Sequence, residues 1–127
     1  MKKSIVTKNA PAAIGPYSQA VESGNLVFVS GAIPVDPATG EVVERTIEVQ
    51  AKRVFDNLKA VLEAADCTLD SVVKTTVFLD DIGNFAAVNA IYAQYFCGDV
   101  LPARSAIQVA ALPKNVMLEV EAIACKG

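Results

Sequence analysis

The sequence has no histidine, no tryptophan and only three cysteines among its 127 residues. Without imidazole, the chain can form neither a Ser-His-Asp triad nor a Cys-His pair nor a zinc site with histidine ligands. Acid and base chemistry must therefore use Glu, Asp, Lys, Tyr or Cys side chains. Because Cys67, Cys97 and Cys125 lack C-x-x-C spacing, neither a disulfide framework nor a zinc knuckle is predicted, and reduced thiols in a cytoplasmic protein fit them best.

Basic blocks and long apolar runs are absent as well. The 11 Lys and Arg residues face 14 Asp and Glu residues, for a net charge of -3, so a phosphate-binding surface is not predicted. No apolar run approaches the length of a membrane span, and there is neither a G-x-G-x-x-G nor a Walker A motif. We therefore expect no nucleic-acid partner, no membrane association, and no dinucleotide or P-loop chemistry.

The composition is that of a folded chain. Hydrophobic residues make up 53% of the sequence and charged residues 20%, and the length favours one domain spanning residues 1–127. Small domains have a high surface-to-volume ratio and normally need more charge than this. We therefore expect a second copy of the chain to cover part of the apolar surface.

Hydrophobic periodicity predicts an α+β fold. An i, i+4, i+7 apolar series from Thr46 indicates an amphipathic helix with Thr46 as its N-cap, and Asp80-Asp81 begins a second helix. Apolar alternation and β-branched runs predict strands over residues 17–22, 26–30, 72–79 and 116–124, with another after Pro102. The resulting order β-β-α-β-α-β-β favours a mixed sheet with two helices packed on one face.

Arg104 is the first candidate for chemistry, because it is the only charge between Asp99 and Lys114. If the last two strands form an antiparallel hairpin, Arg104 lies opposite Glu119 or Glu121. One interpretation is a structural ion pair across the strands. The other is a site for a small anionic substrate, in which the arginine binds a carboxylate and the glutamate acts as a base.

Two further residues carry a structural and a functional interpretation each. Tyr17, after the Gly15-Pro16 turn, is either a packing aromatic or a hydroxyl donor. Gly31, after Ser30, either ends a strand or offers an unobstructed backbone N–H to a carboxylate. The residues alone do not decide between these alternatives.

Six short strings spread over nearly the whole chain resemble the RidA (YjgF) family of imine and enamine deaminases, in the family's order. They are residues 10–19 (APAAIGPYSQ), 29–34 (VSGAIP), 73–78 (VKTTVF), 88–89 (VN), 102–105 (PARS) and 119–124 (EVEAIA). The resemblance implies a chorismate-mutase-like α+β fold, assembled as a homotrimer with active sites in the clefts between subunits.

The resemblance also implies a reaction. It is the water-dependent release of ammonia from 2-iminopropanoate or 2-iminobutanoate, formed from 2-aminoacrylate or 2-aminocrotonate that pyridoxal-phosphate dehydratases produce. The protein itself is expected to use no cofactor and no metal. Two functions from other classes remain open: a binding protein for 2-ketobutyrate or a related carboxylate without turnover, and an RNA-cleaving translation inhibitor or holdase chaperone.

The family's site residues are carried over position by position. Arg104 matches the arginine that holds the substrate carboxylate, and Glu119 matches the acid that positions and activates water. Other pocket positions are matched by Tyr17, Ser30, Gly31 and Asn89. The sequence departs from the family at Ala106, where many members carry a cysteine, so thiol chemistry is not expected in catalysis.

Overall fold

The computed structural model describes residues 1–127, which form one six-stranded mixed sheet with two helices on one face. The strands are β1 (Lys3–Ile5), β2 (Ala20–Ser23), β3 (Leu26–Ala32), β4 (Val72–Leu79), β5 (Ala103–Gln108) and β6 (Leu118–Cys125). The helices are α1 (Ile47–Ala64) and α2 (Phe85–Tyr95), and short 3-10 turns occupy Leu69–Ser71, Ile82–Asn84 and Pro113–Asn115. The predicted α+β class is confirmed, and the structure adds β1, whose three residues are too short to leave a periodic signal.

The first helix forms as its sequence predicts. The Thr46 hydroxyl accepts a hydrogen bond from the Val49 backbone N–H at 3.4 Å, so Thr46 is the N-cap. The apolar stripe of α1 is buried in the core, where Phe55, Leu58 and Leu62 have no exposed surface. Neither α1 nor α2 combines the length and the apolar character that crossing a membrane requires.

The order of strands in the sheet is β1-β2-β3-β6-β4-β5. The last strand, β6, inserts between β3 and β4 and is antiparallel to both, whereas β5 lies at the edge and pairs in parallel with β4. The predicted hairpin between the last two strands is therefore wrong. The physical reason is that α2 carries the chain from β4 over one sheet face to β5, which is the usual connection between parallel neighbours, and leaves β6 free to fill the centre.

The two faces of the sheet differ in what covers them. On the face under the helices, which we call the helix face, side chains such as Val27, Val77 and Leu118 have at most 1% of their surface exposed. On the opposite face, which we call the open face, Phe28 is 43% exposed. The open face therefore presents apolar side chains that no part of the same chain covers.

Candidate active site

Arg104 is held on the helix face by residues of α2. Its register partner is Thr75 of β4, so the two side chains lie side by side at the sheet edge. Nη1 of Arg104 donates a hydrogen bond to Asn89 Oδ1 at 2.6 Å. The guanidinium carbon lies 4.8 Å from the centre of the Tyr92 ring and 5.3 Å from that of Phe85. The remaining N–H groups make no hydrogen bond within the chain, so an exposed, oriented cation is available to an anion.

Glu119 projects from the open face of β6, where its register partner is Phe78 of β4. A Cβ built on Gly31 would overlap the Glu119 carboxyl group, with its Cδ only 2.7 Å away. The carboxyl group thus lies directly against the backbone of residue 31, a position that only glycine leaves open. Gly31 and Ser30 fall in the irregular stretch of β3, where the register with β6 shifts between Val29 and Ala32.

The pKa of Glu119 is raised above the usual glutamate value. The larger cause is burial, which disfavours the charged carboxylate, and the smaller is the negative charge of Glu121 on the same strand. Neither ion pair of the chain, Arg45 with Asp80 and Lys126 with Glu22, involves Glu119. Glu119 is therefore a half-buried carboxyl group without a cation, the type of group that exchanges protons closer to neutral pH.

Tyr17 and Ser30 border the same region. Tyr17 is 54% exposed, and its hydroxyl oxygen accepts a hydrogen bond from the Ile14 backbone N–H at 3.4 Å. Ser30 donates from its hydroxyl to the Ser18 carbonyl at 2.7 Å, and its backbone N–H donates to the Gln19 carbonyl. The loop before β2 is thereby held along β3.

These residues line a cavity of about 810 Å³ that extends from Glu119 on the open face to Asn57 and Val61 of α1. Four of the six predicted site residues line it: Tyr17, Ser30, Gly31 and Glu119. Lys114, in the left-handed conformation with φ 55°, is the one cationic side chain of its lining. Apolar side chains from the loop before β2 and the loop after β3 form much of the rest, so the carboxyl group lies in partly apolar surroundings.

Arg104 and Asn89 lie outside this cavity. Arg104 pairs with the buried Thr75 of the helix face, whereas Glu119 alternates with the buried Leu118 and Val120 and so points to the open face. The predicted juxtaposition of Arg104 with Glu119 or Glu121 within one chain is therefore wrong. Because β4 separates β5 from β6, the two charges sit on different strands and on opposite faces.

Two polar residues that shape the cavity escaped the sequence analysis. The side chain of Gln19 accepts a hydrogen bond from the Thr7 backbone N–H at 2.8 Å and donates one to the Pro11 carbonyl at 2.8 Å. These two bonds hold the N-terminal loop against Gln19. Asn57 of α1, 1% exposed, donates to the carbonyls of Ile33 and Val35. Asn57 could have been identified from the sequence, because it is a polar residue within the apolar face of a predicted helix. A buried amide at such a position needs hydrogen-bond partners.

Other groups of the chain are less suited to chemistry. The three cysteines are free, and burial raises the pKa of the Cys67 thiol, which keeps it protonated. No three His, Cys, Asp or Glu side chains converge where they could hold a metal ion. Ala106, at the position of the common family cysteine, is half-buried and is the register partner of Val77.

Comparison with known proteins agrees with the resemblance in the sequence. The chain is 51% identical over 128 residues to the 2-iminobutanoate/2-iminopropanoate deaminase of Escherichia coli K12, covering 99% of both chains. The crystal structure of the E. coli YjgF gene product superimposes with a TM-score of 0.94 at 50% identity, covering 98% of this chain and 99% of that one. E. coli TdcF with bound serine matches with a TM-score of 0.93 at 46% identity and the same coverage.

The family profile described as Endoribonuclease L-PSP matches residues 7–126, nearly the whole sequence. The matches to YjgF and to the E. coli deaminase likewise cover nearly the whole chain. The chain therefore belongs to the Endoribonuclease L-PSP family, which includes YjgF, as the six sequence strings predicted.

Proposed function

We propose that this protein is a deaminase that hydrolyses 2-imino acids such as 2-iminopropanoate and 2-iminobutanoate to 2-keto acids and ammonia. The observation that carries the proposal is the half-buried Glu119 carboxyl group, which has no cation partner and lies against Gly31 in an open cavity. Such a group suits proton exchange with water and with a leaving nitrogen. The deaminase name of an E. coli relative at 51% identity supports the same reaction.

The complete site is proposed to form between two subunits of a homotrimer. Within one chain Arg104 and Glu119 point to opposite faces of the sheet, so one substrate cannot reach both. A neighbouring subunit seated on the open face brings its own Arg104 and Asn89 to the cavity that contains Glu119. The uncovered apolar side chains of the open face support such a contact, since burying them favours association.

The reaction follows from these groups. Arg104 of one subunit holds the substrate carboxylate, and its N–H groups fix the orientation of the C=N carbon. Glu119 of the other subunit takes a proton from water as the water oxygen bonds to that carbon, and passes this proton to the imine nitrogen, which gives the carbinolamine. Glu119 then transfers the hydroxyl proton of the carbinolamine to its amino nitrogen, the C–N bond breaks, ammonia leaves with the electron pair of that bond, and the C=O bond of the 2-keto acid forms. Neither a covalent nucleophile nor a redox change is needed in this sequence.

The substrate is unstable in water and has to be made close to its use. We propose pyridoxal-phosphate dehydratases as its source, because they release 2-aminoacrylate and 2-aminocrotonate. The structure of TdcF with bound serine supports a site for a small amino-acid-like carboxylate in this family. The endoribonuclease description of the family finds less support here, because the net charge of -3 disfavours RNA binding.

The test is a coupled assay in which a dehydratase generates the imine and its decay is followed with and without this protein. Wild-type protein is expected to accelerate the decay. Glu119→Gln is expected to lower kcat by about 100- to 10,000-fold, the usual range for loss of an acid-base group. Arg104→Ala is expected to cost about 2 to 5 kcal/mol of transition-state stabilisation. If wild-type protein does not change the rate but binds 2-ketobutyrate, the protein is a binding module and the proposal is wrong.

Mixing the two inactive variants tests the composite site. A trimer that contains both Arg104→Ala and Glu119→Gln subunits has some clefts with an intact arginine and an intact glutamate. After subunit exchange of an equal mixture, about a quarter of the clefts are complete and activity returns in that proportion. A mixture that stays inactive after confirmed exchange would mean that both residues act within one subunit.

A further inference from the structure

Two buried polar side chains, Thr75 and Tyr92, lie next to Arg104 and are hydrogen-bonded to each other. The Tyr92 hydroxyl and Thr75 Oγ1 are hydrogen-bonded at 2.8 Å, and both groups are buried. Thr75 has no exposed surface, and Tyr92 is 8% exposed. The buried hydroxyls therefore satisfy one another, as two polar groups in an apolar core must.

This hydrogen bond ties together the two elements that meet at the arginine. Thr75 belongs to β4 and is the register partner of Arg104 on β5, whereas Tyr92 belongs to α2. The Tyr92 ring also packs edge-on against Phe55, at 5.7 Å between ring centres, and at 4.5 Å from Phe96. The ring that lies under the guanidinium is thus fixed from the sheet and from both helices.

An exposed arginine has many side-chain conformations, and binding a carboxylate in one geometry costs the entropy of the others. On the subunit surface Arg104 has only one hydrogen bond to fix it, the one to Asn89. Stacking on the Tyr92 and Phe85 rings restricts the plane of the guanidinium as well. A displaced ring changes that plane, and with it the direction of the free N–H groups.

We propose that Thr75 and Tyr92 are positioning residues: the hydrogen bond between their hydroxyls holds the ring on which Arg104 stacks, and so sets the direction in which Arg104 meets the substrate carboxylate. The inference rests on the proposed function, because it assigns these residues a role through Arg104. Neither residue is required to touch the substrate.

The test compares variants that remove one hydroxyl each. Thr75→Val and Tyr92→Phe keep the shape of the side chain and break the hydrogen bond, while Thr75→Ser keeps the hydroxyl. Matched controls are Thr76→Val, the next residue of β4 on the open face, and Tyr95→Phe, whose hydroxyl donates to Asp56 of α1 and not to Thr75. The readouts are kcat and KM in the coupled assay and the Kd of 2-ketobutyrate by calorimetry.

We expect Thr75→Val and Tyr92→Phe to raise KM and the 2-ketobutyrate Kd by about 5- to 20-fold, because a misdirected arginine loses substrate binding. The value of kcat is expected to stay within about twofold, since the lost contact is made in both ground and transition state. Thr75→Ser is expected to restore both values, and the two controls to leave them unchanged. If the variants lost activity only because they fold less stably, Tyr95→Phe would lose activity as well, and the loss would not be confined to KM.

The outcomes distinguish this inference from the function on which it rests. If wild-type protein turns over imines and Arg104→Ala loses activity, but Tyr92→Phe and Thr75→Val keep wild-type KM and Kd, the positioning role alone is wrong. If wild-type protein neither turns over imines nor binds 2-ketobutyrate, the proposed function fails and the positioning role fails with it. Should Thr75→Val not fold, Tyr92→Phe decides, because it retains the ring and its aromatic contacts.

Discussion

The two faces of the sheet differ in how completely one chain covers them. The helix face is covered by α1 and α2, and together with these helices it contributes most of the 25-residue apolar core. The open face carries Glu119 and exposes apolar side chains such as Phe28 and Ile107, which are 43% and 47% exposed. A side chain on the first face is fixed by the fold of one chain, whereas in the proposed trimer a side chain on the second is also contacted by a neighbouring subunit.

The two key charges follow the same division. Arg104, at the edge of the helix face, has its aromatic and amide contacts within its own chain. Glu119, on the open face, has no hydrogen bond or ion pair from its own chain. In the proposed trimer, the arginine is therefore oriented before assembly, and the carboxyl group has no cation until the partner's arginine and the substrate approach it.

The largest expected difference between the faces concerns folding. Leu118→Ala empties a site with no exposed surface and is expected to lower the free energy of unfolding by about 2 to 5 kcal/mol, whatever the protein concentration. Ile123→Ala, on the open face of the same strand, is expected to act on association, so that its destabilisation decreases as protein concentration rises. Chemical denaturation at several protein concentrations measures both effects. If both variants lost the same free energy of unfolding at every protein concentration, the proposed distinction between the two faces would be wrong.

Gly31→Ala is expected to have a smaller effect, on activity rather than folding. The added methyl group would meet the Glu119 carboxyl group, the movable end of a side chain, so the carboxyl group has to shift while the backbone stays. We expect kcat/KM to fall by about 10- to 100-fold through misplacement of the base, with little change in the melting temperature. The control is the double variant Gly31→Ala/Glu119→Gln, which is expected to be no less active than Glu119→Gln alone. Additive losses would mean that the methyl group acts through another residue.

The sequence analysis succeeded where the signal is local. Strand β4 is observed over the predicted residues 72–79, and Thr46 caps α1, because β-branched runs and capping chemistry act over a few residues. The position of β6 between β3 and β4 is decided by long-range packing, and its alternating pattern fits an edge or a central strand equally well. Arg104 and Glu119 could be identified as candidates from local sequence. Their placement on opposite faces depends on the strand order and was not predicted.

The smallest predicted effect concerns the pH dependence of the reaction. As the group that takes a proton from water, Glu119 acts in its ionised form. The value of kcat/KM is therefore highest above the pKa of Glu119 and decreases as the pH falls through that pKa. Within one chain, burial and Glu121 both raise that pKa, whereas the partner subunit's Arg104 lowers it in the proposed cleft, so the position of the acidic limb reports the balance of the three. Glu121→Gln removes the smaller cause and is expected to move the limb to lower pH by less than about one unit.

The matched control is Glu63→Gln, which removes one negative charge from the exposed surface of α1 and is expected to leave the limb in place. Raising the salt concentration is expected to reduce the difference between wild type and Glu121→Gln, because Glu121 is exposed and its field is screened. The part of the shift that comes from burial is expected to persist in salt. A limb that moves to higher pH in Glu121→Gln, or by the same amount in Glu63→Gln, would contradict the assignment of the acidic limb to Glu119, because removing a nearby negative charge lowers the pKa of that carboxyl group and removing a distant one leaves it unchanged.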